Sequence, residues 1–584
     1  MGATVTVTAP STALDPAPHV TLTLQHFEPL WPAETIVLRA AAAGAIAKVG
    51  LRRPCSPEPD TRLRGEFLSF LARGGSLGAS VGGRELQVVG ACIEGRMTLA
   101  GASVPMSLWL YRCTFGAAPR LEGARIAGSL SLPDCSLPGL HAEGCRIDGD
   151  LALNAGCRVD GEVILTRASL ARDLNCDRMR LGGREQASRG LAGRLVADGA
   201  RIAGSVLLGG GFEAVGDVRF VAARIGGDLR AGNAHFTAEL DASGGRGVAL
   251  DLDRARIGGS VFLDAGFSAA GQVRLRQARI EGDLDCSGAG FDAVGDASWG
   301  DHSAALLLDR ARIGGSLDLR RLQDPLQGAS LADARVGALV DDASTWGRHH
   351  VLDGFAYQRL ADGAPTDAPG RLDWLGHQTE AHLREDFRPD PWRRLISVLH
   401  RTGHGPSARD VAIGRERHLR RAGLIGLGVP PALRWLARLA HDLFGLVAGY
   451  GYLPLRLLGA AGAAWLLCGS LYWAAAKHGA LAPSAALMLA EPRLAHCPPD
   501  CSRLPNTVPG FQPLIYSLDV LVPLIDLHQE RHWTPVHSAW AGATPGWGGT
   551  PVLVLTWLEA LCGWIISLTW LVTLIGLTDR DRQR

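Results

Sequence analysis

The sequence has very little lysine. Lys48 and Lys477 are its two lysines, so arginine supplies almost all of the 59 basic residues. Together with 58 acidic residues they give a formal net charge of +1. Proteins that bind nucleic acids in general carry a clear basic excess. We therefore expect no nucleic-acid partner.

Short motifs that mark common active sites are also missing. The sequence has no His-Glu-x-x-His pair for zinc, and neither lysine is followed by Ser or Thr as in a phosphate-binding loop. We therefore predict no catalytic, cofactor-binding or metal-binding residue. This favours a protein that is not an enzyme.

The 12 cysteines are scattered along the chain. Seven of them lie within the repeats described below, at positions that elsewhere hold Ala or another small residue. We expect buried, reduced thiols at these positions: Cys92, Cys113, Cys135, Cys145, Cys157, Cys176 and Cys286. The N-terminus has no basic segment followed by a long apolar run, so we expect no secretory signal and a repeat region in the cytoplasm.

Glycine is abundant, with 74 residues, and it follows a repeated pattern. The octet Arg-Ile-Gly-Gly-Ser-Val-Phe-Leu at 256–263 returns as Arg-Ile-Gly-Gly-Ser-Leu-Asp-Leu at 312–319. We take the first apolar residue of each related unit as its anchor. The steps between anchors alternate between 22–23 and 32–33 residues: Ile93, Phe115, Ile147, Leu170, Ile202, Ile225, Ile257, Ile280, Ile313 and Val336.

Within each unit, apolar residues recur at every second position, which indicates a short strand with one buried face. We attribute the glycine two positions after the anchor, such as Gly259 or Gly315, to a turn conformation that other residues resist. Two units make a rung of 22 to 23 residues, and stacked rungs bury one continuous apolar column. The pattern predicts a right-handed parallel β-helix over residues 80–342.

The longer steps add a polar excursion to a rung. Residues 182–189 and 296–303 are two examples. Because the excursions recur at a fixed place in the repeat, they should project from one side of the solenoid. We expect a protein partner to bind these loops; solvated spacers without a ligand are the alternative.

An arginine precedes most anchors, and a ladder of positive charges could bind anions. Acidic residues recur nearby, however: Asp253, Asp283, Asp309 and Asp318. We therefore expect exposed arginines with local ion pairs instead of an anion-binding site. The arginines are Arg125, Arg146, Arg201, Arg224, Arg256, Arg279, Arg312 and Arg335.

The segments on either side of the repeats have other patterns. Residues 1–60, rich in Ala, Pro, Thr and Val, predict a loosely ordered N-terminus with a short helix over 34–48. Residues 61–79 predict a capping helix that follows Asp60 and stops at Gly74-Gly75. Residues 343–425 have a helical pattern and predict an adaptor.

The C-terminal part, residues 457–584, predicts a membrane module. Residues 457–476 carry no charge and 551–578 carry one, and both are long enough to span a bilayer. Arginines precede the first span and follow the second, so both termini should be cytoplasmic. This predicts a multi-pass protein of the inner membrane. Residues 426–456 predict an amphipathic helix on the membrane surface.

Residues 477–550 would then form an outer loop, in which Cys497 and Cys501 are candidates for a small disulfide. Residues 513–527 are too short and too charged to span, and predict an interfacial or re-entrant helix. Acidic residues within a membrane are functional candidates. This consideration singles out Glu559, Asp519 and Asp526.

These motifs resemble a bacterial family of pentapeptide-repeat-like membrane proteins. The resemblance rests on the Arg-Phe/Ile-x-Gly-x-Leu tiles and on Arg-Gly-Glu-Phe-Leu at 64–68. It also rests on Tyr-Ser-Leu-Asp at 516–519 with Pro-Leu-Ile-Asp-Leu at 523–527, and on Trp-Leu-Glu at 557–559 with Gly-Trp at 563–564. It covers nearly the whole chain after residue 60. Members are often labelled membrane-associated oxidoreductases, so the resemblance implies redox activity, although we find no residue that would carry it.

Three functions are open at this point. The first is a membrane-tethered scaffold or sensor that presents the β-helix to a protein partner, because its surface is long and regular. The second is a homo-oligomeric channel or transporter with two spans per chain, in which Glu559, Asp519 and Asp526 would line the pore. The third is the membrane-associated oxidoreductase that the resemblance implies, with no cofactor assigned.

Overall fold

The computed structural model describes residues 22–75, 85–183, 193–239, 247–292, 304–361, 363–484, 510–523, 525–535 and 549–582. The chain divides into two compact units, Met1–Ala408 and Arg409–Arg584. In the first unit short parallel strands predominate, and in the second helices predominate.

Short parallel strands form three large sheets in the first unit. The strands of the first sheet are Ala47–Lys48, Glu85–Val89, Ser103–Val104, Ser107–Tyr111, Arg125–Ile126, Leu130–Ser131, Arg146–Ile147, Leu151–Ala152, Ser169–Leu170, Leu174–Asn175, Arg201–Ile202, Val206–Leu207, Arg224–Ile225, Leu229–Arg230, Arg256–Ile257, Val261–Phe262, Arg279–Ile280, Leu284–Asp285, Arg312–Asp318, Arg335–Val340 and Ala356–Leu360. Those of the second are Arg62–Arg64, Cys92–Glu94, Thr114–Phe115, Ser136–Leu137, Arg158–Val159, Arg180–Leu181, Glu213–Val215, His235–Thr237, Ser268–Ala270 and Gly290–Asp292. Those of the third are Leu140–His141, Glu162–Ile164, Arg194–Val196, Val218–Arg219, Val248–Asp251, Gln272–Arg274, Leu306–Leu307, Ala329–Ser330 and His350–Val351.

The strand pairing shows which residues repeat from turn to turn. Ile147 pairs with Leu170, Leu170 with Ile202, and Ile202 with Ile225. The same column continues to Val336. Along it the predicted steps of 23 and of 32 to 33 residues are confirmed. The chain thus passes through the three sheets in solenoid-like turns.

The first two predicted anchors were wrong. Ile93 pairs with Phe115 in the second sheet, whereas the column of the first sheet begins with Val104 and Ile126. Strands of both sheets place one polar residue before one buried apolar residue, so the two columns have the same local pattern. Only the pairing between turns separates them.

The sheets also extend beyond the predicted repeat region of 80–342. They begin at Ala47–Lys48 and end at Ala356–Leu360. The outermost strands were missed because they lack the Arg-Ile-x-Gly pattern. Apart from Gly182 and Gly183, the excursions at 182–189 and 296–303 lie outside the described residues. Each lies in sequence between a strand of the second sheet and a strand of the third.

The glycine two positions after the anchor has a different role from the predicted one. Gly259 and Gly315 are not among the residues with positive φ. A Cβ atom on Gly259 would overlap Oδ1 of Asp228 in the preceding turn, and one on Gly315 would overlap Oδ1 of Asp283. The glycine is therefore required by close approach. The left-handed corners lie two residues before the arginine, for example at Arg254 with φ +59°.

The side chains that require these glycines form a hydrogen-bonded column. Each accepts a hydrogen bond from the backbone N–H of its counterpart in the next turn, as Asp228 Oδ1 does from Ser260 at 2.9 Å. We call this set the Ser/Asp column. Its accepting side chains are those of Ser107, Ser129, Asp150, Asp173, Ser205, Asp228, Ser260 and Asp283, and it ends at Ser316, whose backbone N–H donates to Asp283. The column satisfies backbone donors at a turn that the sheets leave unpaired.

Helices α1, Pro32–Ala42, and α2, Gly65–Ala72, pack at the start of the sheets. The predicted helix over 34–48 is therefore helix α1 followed by a strand, and residues 32–48 are not loosely ordered. Helix α2 begins after the strand Arg62–Arg64, with Arg64 and not Asp60 at its N-cap position. It ends as predicted, at Gly74 and Gly75, whose φ angles are +102° and +68°.

Four helices follow the last strand: α3, Ala368–Gly376; α4, Glu380–Leu383; α5, Asp390–Arg401; and α6, Gly405–Arg421. The helical pattern predicted for 343–425 is thus present from residue 368. A buried ion pair lies beside α3, where Arg371 donates two hydrogen bonds to Asp341 at 2.7 and 2.8 Å. At the other end of the sheets Arg64 binds the buried carboxylate of Glu34 at 2.7 Å. Each end of the stack therefore has an arginine–carboxylate pair.

The second unit contains helices α7, Arg434–Ala448; α8, Pro454–Lys477; α9, Pro513–Leu521; α10, Gln529–His532; and α11, Gly549–Arg582. Strands Leu481–Pro483 and Trp533–Pro535 form an antiparallel pair. Short 3-10 helices occur at Pro431–Leu433 and Gly449–Gly451 in this unit, and at Leu24–Phe27 in the first unit. Helix α9 covers the first part of the predicted segment 513–527 and packs against both α8 and α11.

Two helices of the described chain are long and apolar enough to cross a membrane, over Leu455–Lys477 and Gly549–Leu571. They match the predicted spans 457–476 and 551–578. Tyr472 of α8 and Tyr516 of α9 pack edge to face, with ring centroids 4.9 Å apart. The segment predicted as amphipathic, 426–456, contains α7, whose exposed side chains include Trp435, Leu439 and Leu443.

Candidate functional site

Six arginines stack in register on consecutive turns of the first sheet. We call them the arginine column: Arg201, Arg224, Arg256, Arg279, Arg312 and Arg335. Each precedes a buried apolar residue, and because side chains alternate along a strand the arginines point to solvent. All six are exposed. Neighbouring strands lie about 4.8 Å apart, so the column is about 24 Å long.

None of the described residues forms an ion pair or a side-chain hydrogen bond with these six arginines. Nearer the N-terminus, Arg146 binds Asp148 at 2.9 Å, and Ser169 interrupts the ladder between Arg146 and Arg201. The expected local pairing is therefore present at Arg146. It is absent, within the described part of the chain, along the arginine column.

The acidic residues near the ladder in sequence have other partners. Asp253 binds Arg276 at 2.6 Å, and Asp318 binds Arg320 at 2.5 Å. Asp283 accepts a hydrogen bond from the backbone of Ser316 at 2.6 Å, and Asp309 accepts one from the hydroxyl of Ser330. The turns of the chain place these acids in columns other than that of the arginines. The arginine column thus keeps its positive charge available for a partner.

Among the acidic residues predicted in the membrane module, Glu559 lies on α11 and is 3% exposed. Its Oε1 is 2.5 Å from the hydroxyl of Ser517 on α9, which is 3.1 Å from the carbonyl oxygen of Trp465 on α8. Within the described residues its Oε2 has no hydrogen-bond partner. A polar link therefore joins three helices.

The other two acidic residues do not join Glu559. Asp519 accepts backbone hydrogen bonds from Leu527 at 2.6 Å and Glu530 at 2.8 Å, so it fixes the chain that follows α9. Asp526 binds Arg531 at 2.7 Å and is partly exposed. The three residues thus have separate partners. Cys497 and Cys501, the predicted disulfide, lie outside the described residues.

The seven cysteines of the repeats are buried free thiols, as predicted. Burial raises the pKa of Cys145 and of Cys157 to about 12. Cys113 donates its backbone N–H to Sγ of Cys135 at 3.4 Å. Cys145 and Cys157 are therefore protonated at neutral pH, and the buried thiols pack as small apolar side chains.

Two features of the structure were not predicted. The Ser/Asp column had a signal, since the residue after the glycine is Ser or Asp in most units. The buried pair of Arg371 and Asp341 had none, because 30 residues separate its members. Among the described residues no group of three or more His, Cys, Asp and Glu side chains is placed to hold a metal ion.

Comparison of the chain with known proteins gives no match to a family model, to a curated protein or to a solved structure.

Proposed function

We propose that this chain is a membrane-tethered scaffold for a protein partner. In this proposal the sheets of the first unit form a right-handed parallel β-helix in the cytoplasm, and α8 and α11 anchor the chain in the inner membrane. Two helices of spanning length support the anchor. Arginines next to the spans, Arg456 and Arg580, support cytoplasmic termini.

The arginine column carries this proposal. Exposed arginines in structural repeats usually find acidic neighbours, as Arg146 and Arg320 do. On six consecutive turns the arginine forms no ion pair within the described chain, which exposes a row of guanidinium groups on the sheet. Guanidinium groups bind carboxylates with two parallel hydrogen bonds. A scaffold that holds a partner needs a surface of this kind.

Site-specific photo-crosslinking of the full-length chain in its own membrane tests the proposal. A crosslinking amino acid at Ala203, an exposed residue beside the column, should trap a discrete partner. The same amino acid at Arg180, an exposed residue of the second sheet, serves as the control. A lack of crosslinks at Ala203 and at the equivalent Ala171 would contradict the scaffold function.

A second candidate function, a channel or transporter, rests on Glu559. A buried carboxyl group between membrane helices marks ion and proton pathways in many transporters. Flux through liposomes that contain the purified chain tests this function, with Glu559→Gln as the matched variant. Chains that conduct nothing and remain monomeric in detergent would contradict it.

A further inference from the structure

A shallow groove runs along the arginine column. Its volume is about 550 Å³. One wall consists of Arg201, Arg224, Arg256 and Arg279. Two residues further along each strand the side chain is small, and this second row opens the groove: Ala171, Ala203, Gly226 and Gly258. Glu281 takes the same place on the next turn, where a long side chain ends the row of small residues.

Rows of mixed charge flank the arginine column. Two residues before Arg256 lies the exposed Arg254, and three residues before it Asp253 pairs with Arg276. On the other side, Asp228 of the Ser/Asp column pairs with Arg230. The six arginines without an ion pair among the described residues thus form a narrow strip, and a partner that is one chain wide fits along it.

The residues that line the groove include no aromatic side chain. Proteins that bind single-stranded nucleic acids stack the bases on aromatic rings. A carboxylate-bearing peptide needs no such platform, because its charged groups bind arginine directly. An extended peptide places alternate side chains about 6.6 Å apart on one face. This spacing is larger than the distance between neighbouring strands of the column. The long, flexible arginine side chains can bridge the difference between the two spacings.

We propose that the groove binds an extended acidic segment of the partner protein. Its carboxylates pair with the arginine column, and its backbone lies over the row of small residues from Ala171 to Gly258. This inference rests on the proposed scaffold function and adds the chemistry of the partner.

Fluorescence anisotropy of the full chain in nanodiscs tests this proposal. The probe is a labelled peptide of alternating Glu and Ser, about eight residues long and so about as long as the column. The same peptide with Gln in place of Glu is the uncharged control. The Glu peptide should bind, the Gln peptide should not, and added salt should weaken binding because the pairs are exposed.

Matched variants locate the site. Arg224→Gln with Arg256→Gln removes two unpaired charges of the column and should weaken binding roughly tenfold. Arg146→Gln with Arg230→Gln removes two charges that already pair with Asp148 and Asp228, and should change affinity less than about twofold. Equal effects of the two variants would overturn the proposal. All four arginines are exposed, so unchanged thermal midpoints are expected for both.

Two further outcomes separate the proposals. Tighter binding of a DNA duplex or single strand than of the Glu peptide would overturn the acidic-peptide inference. Crosslinks at Ala203 without any binding of the Glu peptide would overturn the inference and leave the scaffold function standing. If neither crosslinks at Ala203 nor binding of the Glu peptide is found, both the scaffold function and the acidic-peptide inference are overturned.

Discussion

Asp228 and Gly259 stand on successive turns of the first sheet, and the carboxylate of one occupies the space that a side chain on the other would need. Oδ1 of Asp228 accepts the N–H of Ser260 at 2.9 Å, and a Cβ atom on Gly259 would overlap this oxygen. The repeated Ser or Asp therefore requires the repeated glycine, because its side chain needs the space that the glycine leaves free. Together they let each turn hydrogen-bond to the next at a tight bend.

Gly259→Ala should accordingly destabilise the first unit by about 1–3 kcal/mol, because the overlap forces the Asp228 side chain or the backbone to shift. Thermal unfolding measures the effect. Gly376→Ala is the matched control, since a Cβ atom there meets no neighbour. Arg172 occupies the equivalent place beside Asp150, so one turn does adapt to a side chain. A Gly259 variant as stable as the Gly376 variant would contradict this account.

Asp341→Ala should lower the stability of the first unit by about 3–5 kcal/mol, because it leaves Arg371 buried without its partner. The side chains of this pair are 1% and 2% exposed, and Trp346 also donates to Asp341 at 2.7 Å. Glu380→Ala breaks the exposed pair with Arg384 and should cost less than about 1 kcal/mol. Denaturant unfolding compares the two. Similar losses of stability in both variants would show that burial does not determine how much the Arg371–Asp341 pair contributes to stability.

His350 should make stability fall as the pH falls. Burial lowers its pKa from the ordinary 6.5 to about 3. Between these values the unfolded chain binds a proton at His350 that the folded chain does not. Folding therefore loses up to about 1.4 kcal/mol per pH unit from this residue. The contribution is fully present above pH 6.5.

The His350→Gln variant isolates this contribution. It keeps a hydrogen-bond donor for the carbonyl of Gly347, which lies 3.2 Å from Nε2, but it cannot titrate. Thermal midpoints at about pH 7 and about pH 5 should differ less in the variant than in the natural chain. Equal differences in both chains would rule out His350 as the source.

Glu559→Gln should preserve the packing of the second unit. The hydroxyl of Ser517 lies within reach of both Glu559 and the Trp465 carbonyl, but it has only one proton to donate. A protonated Glu559 that donates to Ser517 satisfies all three groups, and Gln supplies the same donor. Glu559→Ala removes the donor and should cost about 1–3 kcal/mol. Thermal unfolding in detergent measures both variants, and a Gln variant as unstable as the Ala variant would mean that the carboxyl group is charged.

The sequence determined the local features of this protein. The spacing of arginine, isoleucine and glycine predicted short parallel strands in steps of 23 and 32–33 residues, because a strand buries every second side chain. The two helices that are long and apolar enough to span a membrane followed from hydropathy, and the helices after residue 368 from their apolar period. These features depend on neighbours in the chain, which a sequence shows directly.

Only the tertiary structure decided which residues meet across turns. It placed Ile93 and Phe115 in a different sheet from Ile147. It also showed that position 259 requires glycine because a side chain there would overlap Asp228, and not because of its backbone angle. It also left Arg224 and Arg256 without acidic neighbours among the described residues while giving Arg371 a buried one. Such contacts depend on how the turns stack, and a residue 30 positions away carries no local sign of its partner.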